Sequence, residues 1–234
     1  MKKSVKKGLI ATALLGVVVA PCTMCLAGCG MESQAQVSTY EELVEALKGD
    51  KSVVRLTEDI DLQDQVVVNR KVKLDLNGKT ISNSNDIWDQ ANSKLSLIAS
   101  GQNGDLTITG NGVISAKQDD CYGVDVRYGG KMVIENGEII GNVTSVYSYE
   151  GDIEIKGGTY SIKQKSNTNG YKLTINLNDA NREAGTANLK IYGGTFKNFD
   201  PANPMEKGYS LLPEGYQSSL VEGSTTDYVV TRIA

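Results

Sequence analysis

Hydrophobic and polar residues alternate along most of this chain in short runs that end in glycine or asparagine. Residues 74–78, Leu-Asp-Leu-Asn-Gly, show the pattern, and similar runs begin at Leu106, Met132, Ile153 and Leu189. Alternation of this kind, closed by turn residues, predicts β-strands joined by tight corners. Glycine and asparagine suit such corners because they adopt positive φ at low cost.

The corners recur at a nearly regular spacing. Five of them close with Gly78, Gly112, Gly137, Gly158 and Gly194. These glycines lie 34, 25, 21 and 36 positions apart, and without the polar stretches at residues 83–94 and 178–188 the two long gaps shorten to 22 and 25. Such a repeat predicts stacked β-coils, each buried against its neighbours. A β-sandwich is the alternative, although its strands usually recur at a shorter spacing, roughly every 8 to 12 residues.

One helix precedes the β repeat. Residues 40–48 place their apolar side chains on one face at helical spacing, and a capping box of Ser38 with Glu41, or of Thr39 with Glu42, comes before them. Because the open end of a β stack exposes unpaired backbone, we expect this helix to cover the first coil.

The last part of the chain, residues 198–234, is interpreted as a C-terminal cap. Pro201 and Pro204 interrupt the strand pattern there. We expect residues 209–212 to pair with residues 228–230 as a closing hairpin. A separate binding module is the alternative to a cap.

With these motifs the chain resembles the right-handed parallel β-helix, or pectin-lyase-like, proteins of bacterial surfaces. The resemblance is carried by residues 54–60 and 74–81 and by Gly-Gly-Thr-aromatic corners at residues 157–160 and 193–196, and it covers most of residues 39–199. It implies an all-β fold, a right-handed parallel β-helix (solenoid) with an N-terminal capping helix and a C-terminal cap. Lyases, hydrolases, adhesins and phage spikes share this fold, so the fold leaves the activity open.

The first 28 residues have the features of a secretory signal. Four lysines within the first seven positions precede the uncharged residues 8–20, a stretch shorter than the roughly 20 apolar residues that a membrane-spanning helix needs. Residues 26–29, Leu-Ala-Gly-Cys, resemble the lipobox of bacterial lipoprotein precursors at every position. The resemblance implies that Cys29 becomes the acylated first residue of the mature protein. An uncleaved signal anchor and cleavage at another small residue are the alternatives.

This interpretation divides the chain into a lipoprotein signal peptide (residues 1–28), a lipidated tether (residues 29–38) and a β-helix domain (residues 39–234). It predicts a protein of the bacterial cell envelope that is held to the extracytoplasmic face of a membrane by its lipid.

Composition narrows the classes of function. The whole chain has a net charge of −4, and removal of residues 1–28, which hold four lysines and no acid, makes it −8. Such acidity argues against a nucleic-acid partner and against a basic membrane-binding face. Besides the acylated cysteine the mature chain keeps only Cys121, so we predict a free, partly buried thiol and no disulfide framework. No cofactor and no metal site are predicted.

Catalysis is the less favoured function. The chain has no histidine, which the polygalacturonase pattern of this fold includes. Asp119 and Asp120 are similar to the acidic pair of such enzymes, with Asp125, Arg127 and Lys131 nearby in sequence, but Asp-Asp is also common in solvated turns. We predict no catalytic residues and a non-catalytic surface protein. A membrane-anchored polysaccharide lyase or glycoside hydrolase is the alternative, and a spacer without a ligand is a third possibility.

A candidate binding patch follows from the repeat. Asp125 and Arg127 lie 22 positions before Tyr147 and Tyr149, so all four are expected to project outward from adjacent coils. A sugar ring would stack on tyrosine while Asp125 and Arg127 bond its hydroxyls, and Arg127 would pack over Tyr149 as a cation–π pair. Plain pairing across a solvated sheet face is the alternative.

The insertion around Trp88, the only tryptophan, is a second candidate site because loops on a rigid scaffold often carry function. The alternative is that Trp88 folds back over an exposed sheet face. The predicted ligand of either site is a glycan, or else a host or envelope protein.

Overall fold

The computed structural model of the protein describes residues 32–164, 173–204 and 208–234. The predicted signal peptide and Cys29 lie outside the described residues. The described chain is mostly β-structure, and it contains no helix that is long and apolar enough to cross a membrane.

The strands follow in chain order. The first ten are β1 (Gln34–Val37), β2 (Val53–Leu56), β3 (Ile60–Asp61), β4 (Val66–Val68), β5 (Lys71–Asp75), β6 (Thr80–Ser82), β7 (Ser96–Ser100), β8 (Asp105–Thr109), β9 (Val113–Ser115) and β10 (Tyr122–Val126). The others are β11 (Gly130–Ile134), β12 (Glu138–Gly141), β13 (Val146–Ser148), β14 (Gly151–Ile155), β15 (Thr159–Ile162), β16 (Ile175–Leu177), β17 (Ala187–Ile191), β18 (Gly194–Phe196), β19 (Tyr216–Leu220) and β20 (Tyr228–Arg232). The α-helices are α1 (Tyr40–Lys48) and α2 (Asp179–Glu183).

The strands form three sheets, which the chain visits in turn. The first sheet has the order β1-β2-β5-β8-β11-β14-β17, the second β4-β7-β10-β13-β16 and the third β3-β6-β9-β12-β15-β18-β20-β19. Neighbouring strands are parallel up to β18, whereas β20 pairs antiparallel with both β18 and β19. The predicted all-β class is confirmed, and the long parallel sheets do not fit the antiparallel layers of a β-sandwich.

The pairing registers agree with the spacing of the sequence repeat. Val124 of β10 pairs with Val146 of β13 at an offset of 22, and Ile139 of β12 pairs with Tyr160 of β15 at an offset of 21. Residues in register therefore stack in columns, and the inner columns are buried. One such column of the first sheet consists of Val54, Leu74, Ile108, Ile134, Ile155 and Ile191. These columns make the hydrophobic core because period-two alternation sends every second side chain to the same face.

Two of the connections between strands match the polar stretches of the sequence. The first insertion, residues 83–94, leads from β6 to β7 and contains a 3-10 turn at Gln90–Asn92. The second insertion, residues 178–188, contains α2 and leads from β16 into β17.

Helix α1 has the predicted boundaries. The side chain of Thr39 caps it by accepting a hydrogen bond from the backbone N–H of Glu42 at 3.2 Å. Leu43 and Leu47 are buried in the core. The side chain of Arg70 donates hydrogen bonds to carbonyls of the last turn, including that of Leu47 at 2.8 Å. These carbonyls, which have no partner within the helix, are thereby hydrogen-bonded.

The ordered sheet begins earlier than the sequence indicated. Strand β1 falls within residues 29–38, the predicted tether, and pairs parallel with β2. Its sequence, Gln-Ala-Gln-Val, has one large apolar residue, Val37, and that side chain is buried. A strand with so little apolar alternation gives a weak pattern, because it is held mainly by backbone pairing to β2.

The C-terminal hairpin has a different partner from the expected one. Strand β20 pairs with β19, not with residues 209–212. Leu211 is instead buried, and its carbonyl accepts a hydrogen bond from the N–H of Ile191 at 3.0 Å. The predicted pairing was wrong because this segment covers the last strand of the first sheet, whose edge groups need partners.

Candidate ligand-binding face

Two strands of the second sheet, β7 and β10, are covered on their outer face as well as on their inner face. All five residues of β7 are buried, and so are four of the five residues of β10. On the first sheet, in contrast, outward side chains such as Lys131 and Asp152 are exposed. The first insertion folds back over these two strands, with Ser93 bonded to Arg127 and Trp88 in contact with Tyr122.

Asp120 fixes the first insertion in place. Its carboxylate accepts hydrogen bonds from the backbone N–H groups of Ile87 (3.0 Å) and Trp88 (2.8 Å) and from the side-chain amide of Asn83 (2.6 Å). Asp120 is buried, so the prediction of a solvated Asp119-Asp120 turn is wrong for this residue. Its partners lie more than 30 positions earlier, a distance that local turn chemistry does not reveal.

Asp125 and Arg127 form a buried ion pair beneath the first insertion. The guanidinium of Arg127 bonds both carboxylate oxygens of Asp125, each at 2.7 Å. The hydroxyl of Ser96 donates to Asp125, and Arg127 donates to the backbone carbonyl of Ser93. Burial raises the pKa of the Asp125 carboxyl, an effect that Arg127 and Ser96 partly oppose.

This burial corrects a prediction about the site. Asp125 and Arg127 were expected to project into solvent, but Asp125 is fully buried and Arg127 is 5% exposed. The register was right, since Asp125 pairs with Tyr147, and the exposure was wrong because the first insertion covers these side chains. The described residues also show no cation–π pair of Arg127 with Tyr149, because the guanidinium is directed toward Asp125 and Ser93.

Four aromatic side chains lie in a row across this face. The ring centroids of Trp88 and Tyr122 are 5.2 Å apart, those of Tyr122 and Tyr147 5.5 Å, and those of Tyr147 and Tyr149 6.2 Å. Trp88 thus folds back over the sheet, which was one of its two expected placements. The two ends of this aromatic row stay accessible, since Trp88 is 39% exposed and Tyr149 is 42% exposed.

Sequence reasoning missed Tyr122, which joins the two parts of the aromatic row. Tyr122 begins β10 and is in register with Ser96. It lies 25 positions before Tyr147, and a period of 22 does not bring these two residues together. The signal available was an aromatic residue at the start of a predicted strand. Burial raises the pKa of Tyr122 to about 12.

The second insertion meets the aromatic row at its other end. The side-chain amide of Asn178 donates to the hydroxyl of Tyr147 at 3.3 Å, and that of Asn181 donates to the backbone carbonyl of Tyr149 at 2.6 Å. The two insertions therefore flank one face of the second sheet, with the aromatic row between them. This arrangement offers apolar ring faces on a rigid backbone, with polar groups at the margins.

The sequence predicted a free thiol at Cys121 and no metal site. Cys121, next to the start of β10, is a free and buried thiol whose pKa is raised by burial. The described ranges contain no group of three or more histidine, cysteine, aspartate or glutamate side chains placed to hold a metal ion.

Comparisons of the chain with profiles of protein families, with curated proteins and with solved structures found no match.

Proposed function

We propose that the protein is a lipid-anchored surface protein whose parallel β-helix binds an extracellular glycan, without catalysis, on the face that carries the aromatic row. The observation that carries this proposal is the aromatic row itself. Two accessible rings, Trp88 and Tyr149, stand at the ends of a continuous set of ring contacts. Aromatic faces beside a few polar groups are a common means of holding a ring-shaped ligand.

The proposed scaffold is a right-handed parallel β-helix, in which each coil contributes one strand to each sheet. In its support, the chain visits the three sheets in turn and neighbouring coils pair parallel at offsets near the sequence repeat. The right hand follows from the strong preference of parallel crossover connections for that hand. Helix α1 and the β19–β20 hairpin are the proposed caps, since a stack of coils needs covered ends.

Rigidity favours binding by the aromatic row. A surface that is already ordered loses little conformational entropy when it takes up a ligand. Here Asp120 fixes the backbone next to Trp88, and the buried Asp125–Arg127 pair lies below the first insertion.

The same bonds favour binding over the enzymatic alternative. The carboxylates of Asp120 and Asp125 already accept two or more hydrogen bonds each from the protein. A general acid or base must instead reach a proton of the substrate.

A glycan-binding assay on the full chain tests the proposed function. Immobilised polysaccharides are probed with the wild type, with a Trp88→Ala, Tyr149→Ala double variant, and with Leu220→Ala, which removes an exposed side chain of β19 as a matched control. We expect the double variant to bind about tenfold or more weakly, because two ring contacts are lost, and the control to bind as the wild type does. Binding to no glycan, or equal binding by the double variant, would contradict the proposal. Cleavage of a bound glycan would favour the enzymatic alternative, and binding to a protein alone would favour a protein partner.

The lipid anchor is proposed from the lipobox at residues 26–29. Two or more acyl chains on Cys29 would hold the domain durably at the membrane surface of the cell envelope. We expect Cys29→Ser to move the protein from the membrane fraction to the soluble fraction. Cys121→Ser is the matched control and should leave the protein in the membrane fraction. Mass spectrometry of the mature N-terminus shows directly whether Cys29 carries the lipid.

A further inference from the structure

A surface depression of about 580 Å³ lies beside the first insertion, and its lining includes none of the four rings of the aromatic row. Five amide side chains contribute to its lining, namely Gln65, Asn69, Asn92, Gln102 and Asn103. Each primary amide offers donor N–H groups and an acceptor oxygen, a combination that matches a sugar hydroxyl, which both donates and accepts. A concentration of amides in one depression therefore fits a ligand rich in hydroxyl groups.

Several of these amides are positioned by the protein. The amide nitrogen of Gln65 donates to the Ser96 carbonyl at 2.8 Å, which leaves the amide oxygen of Gln65 for a ligand. The oxygen of Asn69 packs against Gly101, where an added Cβ would come within 2.4 Å of it. A side chain at residue 101 would therefore displace the Asn69 amide from this position. Positioned polar groups bind with a smaller loss of side-chain entropy than mobile ones.

The depression offers no free charge to a ligand. Its lining contains no carboxylate and no ammonium group, and the one charged residue is Arg127. The charge of Arg127 is matched by the bidentate contact with Asp125, at 2.7 Å for each bond. An anionic ligand would gain little from a guanidinium that is already paired, so the chemistry favours an uncharged one.

An exposed aromatic ring stands at the edge of the depression. Tyr128 is 55% exposed and has a φ of +57°, a backbone conformation that is uncommon for a bulky residue and costs free energy. A hydrogen bond from the N–H of Gly130 to the carbonyl of Arg127, at 3.1 Å, closes the turn that holds it. Asn103, on the neighbouring turn, also has a positive φ, of +64°.

We infer that this depression is a second subsite, which takes an uncharged sugar residue, with amide groups bonding its hydroxyls and Tyr128 packing on its ring. The inference rests on the proposed glycan-binding function and names the class of glycan, a neutral one. The first insertion contributes to both sites, with Trp88 in the aromatic row and Asn92 in the depression. A glycan of several residues would therefore contact both.

Calorimetry on the full chain tests the subsite. The probes are neutral hexasaccharides of glucose, mannose, galactose and N-acetylglucosamine, with a hexamer of galacturonate as the charged comparison. An Asn69→Ala, Asn103→Gly double variant removes two amides, and glycine keeps the positive φ at residue 103. Tyr128→Asn removes the ring from a position where asparagine tolerates positive φ, and Tyr128→Phe is its matched control.

We expect a neutral hexasaccharide to bind more tightly than the galacturonate hexamer. The double amide variant and Tyr128→Asn should each weaken binding about tenfold, the change expected for the loss of roughly 1.4 kcal/mol of contacts. Tyr128→Phe should bind within about twofold of the wild type, because the ring is kept.

Three results would overturn the subsite. Tighter binding of the galacturonate hexamer would contradict a neutral ligand. Unchanged binding by both depression variants, while Trp88→Ala loses binding, would refute the depression and leave the proposed function intact. Failure of the wild type to bind any of the probes or any immobilised polysaccharide would refute the proposed function itself.

Discussion

The outer faces of the first and second sheets differ although both sheets pack their inner faces into one core. On the first sheet, Lys71 and Asp105 form a surface ion pair at 3.6 Å, with both side chains open to solvent. On the second sheet, Asp125 and Arg127 pair at 2.7 Å with almost no exposure. Exposed pairs contribute little to stability because water and salt screen them. Buried pairs matter when one partner is lost, since an unpaired charge then stays in the interior.

The difference between the faces comes from the two insertions. The first sheet keeps outer side chains such as Lys131 and Asp152 exposed, whereas the first and second insertions lie against the second sheet and bring Trp88, Asn178 and Asn181 to it. A repeating scaffold thus acquires one specialised face through departures from the repeat. This is the expected place for function, since loops on a regular framework can change without disturbing it.

The largest expected effect is from Asp125→Ala, which leaves the guanidinium of Arg127 buried without its partner. We expect the free energy of unfolding to fall by about 3 to 5 kcal/mol. Asp152→Ala makes the same change on the outer face of the first sheet, where the side chain is exposed, and should cost about 0.5 kcal/mol or less. Urea denaturation followed by far-UV circular dichroism measures both. Equal losses would show that the two faces do not differ in the way described.

Asp120→Ala should have an intermediate effect, because it removes the acceptor that holds the first insertion. We expect a loss of about 1 to 3 kcal/mol, the usual result of leaving buried donors unsatisfied. Hydrogen exchange should accelerate at the N–H groups of Ile87 and Trp88 while strands of the first sheet keep their protection. Asp119→Asn, which tolerates the positive φ at that position, is the control. Unchanged exchange at Ile87 and Trp88 in the Asp120 variant would contradict the assigned role.

Most of the fold could be predicted from the spacing of apolar residues and glycines. Columns such as Leu74, Ile108 and Ile134 could be predicted because inward strand positions must be apolar in every repeat. Helix α1 could be predicted because its cap and its apolar stripe are both local in sequence. Strand β1 could not be predicted, because its sequence has too little apolar alternation. The partner of β20 could not be predicted either, because it depends on which distant segment of the chain covers the edge of the first sheet.

The candidate site was predicted in register but not in exposure. The offset of 22 correctly placed Asp125 beside Tyr147. It gave no information about the first insertion, whose attachment depends on Asp120 bonding a backbone more than 30 positions away. Polar residues in an insertion are compatible with either a solvated loop or a cover. The hydrogen-bond partners of the insertion, which are distant in sequence, distinguish a solvated loop from a cover. Hydrophobic periodicity gives no information about such partners.

A smaller effect is expected from pH. The pKa of Asp125 is raised in the folded protein by burial, so between its ordinary value and the raised value the folded state holds a proton that the unfolded state has released. Stability contributed by this group therefore falls as pH rises through that interval. Asp125→Asn should remove this component from the pH profile of the unfolding free energy, whereas Asp152→Asn should keep it. A profile of Asp125→Asn that parallels the wild type would contradict the assignment.

The central claim, that a glycan binds on the face that carries the aromatic row, is tested most directly through Trp88. Because Trp88 is the only tryptophan, emission excited selectively from tryptophan and not from tyrosine reports on that face alone. Titration with a neutral hexasaccharide should change the tryptophan emission in a saturable way, with the same midpoint as calorimetry. Calorimetric binding of the hexasaccharide with no change in Trp88 emission would place the glycan elsewhere and contradict the claim.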